Sequence, residues 1–146
     1  MVSHVTPDSL QRKHNLLLVA LREAANQFEA AGRELEDIGI AQALKDMVSF
    51  CTRQADQLES EIRKLGFLPK AADPDRVTFQ KIITRLEGTL GTGQPLLVHK
   101  IQSISGYVQE NIKAAQETNP PAPLAKMLQE TAQRFEIFQG LLNEVS

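Results

Sequence analysis

At 146 residues and a formal net charge of −2, the chain is long enough for one domain with a real core, and its charge does not draw it to nucleic acid or anionic lipid. It has no Trp and one Tyr, and its basic residues are scattered, which argues against a stacking platform for single-stranded nucleic acid. A single cysteine, Cys51, leaves no route to an internal disulfide or a thiolate metal cluster.

Residues 1–6 lack the apolar block of a signal peptide. The longest apolar run, Leu16 to Leu21, is too short to span a bilayer. The expectation is a cytoplasmic protein without membrane insertion. Thr6-Pro7-Asp8 then reads as a helix start: Thr6 can cap, Pro7 suits the first turn and Asp8 complements the positive end of the dipole.

The first predicted helix covers about 7–37. Leu17, Leu21, Ala24, Phe28, Ala31, Leu35 and Ile38 step by four and three along it, which makes one apolar face. Asp37-Ile38-Gly39 reads as a short break. A second helix is expected over about 40–65, with Ile40, Leu44, Met47, Cys51, Ala55, Leu58, Ile62 and Leu65 on its stripe and Gly66 as its left-handed terminator. So short a connection makes the two helices antiparallel neighbours. Cys51 falls on the stripe and reads as a buried small hydrophobe, and Met47 and Met127 read as core fillers.

Phe67 to Ala72 reads as a loop. Asp73-Pro74-Asp75 repeats the capping pattern and opens a short helix over about 74–90. Gly91-Thr92-Gly93 breaks it. A third long helix is predicted over about 94–118, with Leu97, Ile101, Ile104, Val108, Ile112 and Ala115 on one face. Asn119-Pro120-Pro121-Ala122-Pro123 stops it. The last helix covers about 121–144, with Leu124, Leu128, Thr131, Phe135, Phe138, Leu142 and Val145 as its stripe. The fold class is therefore all-α: a single four-helix-bundle domain with a short extra helix in the crossover between the second and third long helices.

Such bundles often hold a dinuclear metal site built from Glu on two helices and Glu-x-x-His on the other two. The histidines are His4, His14 and His99, and the residues three before them are Met1, Gln11 and Leu96, so the motif is absent. His14 and His99 read as satisfied or solvent-facing. Most carboxylates fall beside the stripes and read as solvated faces, some with i,i+4 partners such as Glu59 with Arg63. Glu23, Glu29, Asp56, Glu59, Glu110 and Glu136 are the weak candidates for a carboxylate-only metal site, since Glu29, Asp56 or Glu59, Glu110 and Glu136 could approach a common layer. The glycines Gly88, Gly91 and Gly93 follow a helix and read as a linker, not a phosphate cradle.

Leu21-Arg22-Glu23-Ala24-Ala25-Asn26-Gln27-Phe28-Glu29-Ala30-Ala31 resembles the first helix of a ferritin-like family of small bacterial domains of unknown function. The stretch from Arg53 to Gly66, followed by Pro69, is similar to the end of that family's second helix. The Pro-rich turn at Pro120–Pro123, with Leu128 and Gln129 beyond it, fits the last part. The resemblance covers most of the chain from Leu16 to Leu142. It implies a ferritin-like bundle, often dimeric, without an assigned activity. Relatives that oxidise iron or manganese use glutamates and histidines. This chain departs from them at Ile104-Ser105-Gly106-Tyr107, where related domains tend to place a glutamate, and near Glu136, where a histidine is common.

Two functions follow as expectations. The first is a non-enzymatic bundle without a cofactor that acts by self-association, as a dimer, or by partner binding. Apolar residues off the main stripes, Leu18, Ile83, Leu96, Ile137 and Leu141, are available for it. The alternative is a ferritin-like carboxylate protein holding iron or manganese. A third, weaker reading is a small-molecule or lipid pocket between helices.

Overall fold

The computed structural model describes residues 7–68 and 93–145. These form four helices: α1 (Pro7–Gly32), α2 (Ile38–Lys64), α3 (Gln94–Gln116) and α4 (Ala122–Val145). The expected short helix over 74–90 lies outside the described residues, as do Thr6 and His4. No helix among the described residues is long and apolar enough to cross a membrane.

The end of α1 differs from the expectation. The helix stops at Gly32 rather than Asp37, and α2 begins at Ile38 rather than Ile40. The cause is Asp37. Its backbone is extended (φ −71°, ψ 112°), and its carboxylate accepts from the Ile40 N–H at 2.9 Å, so Asp37 caps α2 instead of closing α1. Ile38 therefore leaves the α1 stripe and stands 84% exposed. Leu35, in the turn, is only half-buried against the core. The turn's own backbone is paired by Gln94, whose Nε2 donates to the Glu34 carbonyl and whose Oε1 accepts from the Glu36 N–H, both at 2.9 Å.

α2 ends as its sequence predicts. Gly66 takes φ 84°, its N–H bonds the Arg63 carbonyl at 2.9 Å, and the Phe67 N–H bonds the Ile62 carbonyl at 3.1 Å. This paired pattern is the Schellman motif, which needs a left-handed residue that glycine adopts without strain. At the end of α3, the Thr118 hydroxyl donates to the Ala115 carbonyl at 2.6 Å and Asn119 takes φ 50°. The prolines then hold the chain out of helix until Ala122. Thus α3 closes at Gln116 and not 118, while α4 runs on to Val145.

Helix directions follow from the contacts. α1 and α2 are joined by a short turn, as are α3 and α4, so each pair is antiparallel. Gln94 places the start of α3 beside the end of α1. The Asn15 amide donates to the Leu68 carbonyl at 3.4 Å, which places the exit from α2 beside the start of α1. α1 packs on α2 and α3, and α4 packs on the same two. α1 and α4 point one way along one diagonal, and α2 and α3 point the other way along the second. Every packed neighbour is antiparallel, and the chain crosses the length of the bundle between Leu68 and Gly93.

The stripes meet along the axis. Leu17, Leu21, Ala24 and Phe28 of α1, Leu44, Cys51 and Leu58 of α2, Ile101, Ile104 and Val108 of α3, and Leu128 and Phe135 of α4 are all fully buried. Phe28 and Phe138 touch edge-on across the α1–α4 diagonal, with ring centres 5.5 Å apart. Leu18 and Leu96 are buried too, so they are core residues and not the spare surface expected of them. Leu97, placed on the α3 stripe, is only half-buried, and Leu65 and Val145 lie at exposed ends.

Candidate functional site

Five polar side chains on the described helices are buried: His14, Asn15, Gln54, Ser105 and Thr131. Gln54 of α2 donates through Nε2 to the Thr131 hydroxyl of α4 at 2.8 Å, and Thr131 donates to the Met127 carbonyl at 2.8 Å. The pair ties α2 to α4 and satisfies both groups where water is excluded. Thr131 was on the expected stripe and Gln54 was not. The signal was present, because Gln54 lies three residues after Cys51 and four before Leu58, the spacing of the stripe itself.

His14 is fully buried on α1. Its Nδ1 donates to the Leu10 carbonyl at 2.8 Å, and its Nε2 has no hydrogen-bond partner. Burial lowers its pKa below the ordinary 6.5, and the bond to Leu10 offsets part of that. The ring is therefore neutral at physiological pH. The Ser105 hydroxyl of α3 is likewise buried without a partner. Cys51 is buried as expected, and burial pushes its thiol pKa up to about 12. It stays protonated at neutral pH and is no nucleophile.

The candidate carboxylates do not approach a common layer. Glu29 is exposed and pairs with Arg33 of its own helix. Asp56 and Glu59 come together, but around a cation: Arg22 reaches from α1 to Asp56 at 3.2 Å and to Glu59 at 3.0 Å. Glu59 also pairs with Arg63 at 3.5 Å, as its spacing predicts. Glu110 and Glu136 stand exposed on α3 and α4, and Glu23 is half-buried on α1. Among the described residues no three His, Cys, Asp or Glu side chains are grouped so as to hold a metal ion. The reason is geometric, since each carboxylate sits off its helix's apolar stripe and so points away from the bundle axis.

Two concave surfaces among the described residues lie near the turn between α1 and α2. One is an open groove of about 580 Å³ along the outer seam of these helices, with Leu35, Ile38 and Val48 among its walls and Lys45 on its rim. The other, about 430 Å³, lies at the same end of the bundle between Ile40, Val98, His99 and Val145. His99 is exposed there, as one of its two expected states allows.

Comparison with known protein families, with curated proteins and with solved structures finds no match. The functional reading therefore rests on this chain's own surfaces. On the outward side of α4, Ile137 is 72% exposed and Leu141 37%. Sequence spacing had singled out Ile137 and Leu141. It did not mark the α1–α2 groove, because the residue that walls it, Ile38, was assigned to the core.

Proposed function

We propose that the protein is a non-enzymatic, ferritin-like helical bundle that acts by association, with a second copy of itself as the partner. The observation that carries this reading is the second apolar stripe on α4. Ile137 and Leu141 lie one turn apart on the side away from the core, while Phe135, Phe138 and Leu142 fill the core side. A helix with two apolar faces has one more to cover.

The stripe is also suited to pairing with itself. An antiparallel two-fold packing of α4 centred near Gln139 would lay Ile137 against Leu141 of the partner subunit. It would also bring Arg134 near Glu144 of the partner subunit, so that the same patch supplies both signs of charge. The order of helix directions, with its long crossover between α2 and α3, supports the ferritin-like reading of the fold.

Sedimentation velocity over a wide concentration range tests the proposal. A dimer is expected, and it should dissociate in an Ile137→Lys, Leu141→Lys double variant whose helical circular dichroism and melting are unchanged. A wild-type chain that stays monomeric at every concentration overturns the reading.

A further inference from the structure

The groove on the α1–α2 seam has an apolar body and one unmatched charge. Phe28 backs it, Leu35 and Val48 line it, and Ile38, at 84% exposure, forms an overhanging wall. Its opening is a matter of side-chain size, since Gly32 and Ala41 face it and fill little of it. The volume of about 580 Å³ lies within the roughly 300–1,000 Å³ of small-molecule sites.

The charges on the rim decide what fits. Glu29 and Arg33 bind each other at 2.6 Å and cancel. Lys45, also on the rim, has no ion pair among the described residues. The rim thus carries one net positive charge beside an apolar trough, with the Ser49 hydroxyl on the same helix available as a donor. A neutral apolar ligand would leave Lys45 unanswered. A dianion would bring more charge than the rim can meet.

We propose that this groove binds a monoanionic amphiphile, a medium-chain carboxylate, with its chain along Phe28, Leu35, Ile38 and Val48 and its head group at Lys45. The site is separate from the outward side of α4, because no residue of α4 lines the groove. It can therefore fail or hold independently of self-association.

Isothermal titration with decanoate, below its micellar concentration, against 1-decanol tests both halves of the proposal. Decanoate should bind saturably at one site per chain. Lys45→Glu, an exposed substitution, should weaken decanoate at least tenfold and leave decanol unchanged. Ala41→Phe should fill the trough and abolish binding of both, with the helical circular dichroism retained. Absence of saturable decanoate binding overturns the proposal, as does equal decanoate affinity in wild type and Lys45→Glu. Loss of a wild-type dimer in Ala41→Phe also overturns it, because the groove would then belong to a second copy of the chain.

Discussion

The seam between α1 and α2 has two halves that are closed in different ways. Midway along α1, Arg22 spans the seam and reaches two carboxylates of α2, so long side chains cover the outer edge. Near the end of α1, the facing positions are Gly32 and Ala41, and the edge stays open over an apolar floor. The same two helices and the same buried stripes underlie both halves. Core patterning therefore decides that the helices pack, and the residues just outside the stripe decide whether the seam is sealed. A groove on a bundle is a choice of small side chains at the edge, made without weakening the core beneath it.

The sharpest way to break this comparison is to act on the core beneath the open half. Phe28 backs the groove but is fully buried and touches Phe138 across the bundle. Phe28→Ala should cost about 3–5 kcal/mol in urea unfolding. A cost below about 1 kcal/mol would mean that the floor belongs to the surface and not to the core.

A second measurement follows His14, buried on α1 well away from the groove. Its pKa is lowered in the folded state by burial, while the unfolded chain protonates near 6.5. The unfolded state thus binds more protons in mild acid. Stability should be full above pH 6.5 and should fall as pH drops below it, by at most about 1.4 kcal/mol per pH unit for this one group. Urea midpoints between pH 7.5 and 5.5 should show that slope in the wild type and lose it in His14→Leu.

The smallest effect is expected at the closed half of the seam. Arg22 and its partners are substantially exposed, so Arg22→Ala should cost no more than about 1 kcal/mol, less in high salt. A salt-independent loss of several kcal/mol would show that the arginine seals the seam by packing and not by charge.

Much of the fold was legible in the sequence because burial follows helical spacing. Leu17 to Ala31, Ile40 to Ile62 and Leu124 to Leu142 are buried as their stripes predict, and Gly66 ends α2 as expected. The errors gather where two local signals compete. Ile38 continues the α1 spacing, yet Asp37 is also a good cap, and the cap won. Leu18 and Leu96 lie off their helices' stripes and read as surface, but a helix with two packed neighbours buries a wider arc than one stripe. The groove was not legible at all. It depends on which side chains face each other across a seam, and spacing along one helix carries no information about its neighbour.

The two ends of the crossover between α2 and α3 are moored along α1 and just past it, at Asn15 through Leu68 and at Glu34 of the turn through Gln94. α1 thereby serves as a ruler. At about 1.5 Å per residue, the helix from Asn15 to Gly32 rises roughly 26 Å, and Glu34 lies just beyond it. An extended chain covers the distance from Asn15 to Glu34 in roughly nine residues at about 3.3 Å each. The span is set by the rigid helix and not by the connection, which has length to spare. Deletions in the crossover should therefore leave the direction of α3 unchanged until its length approaches that limit.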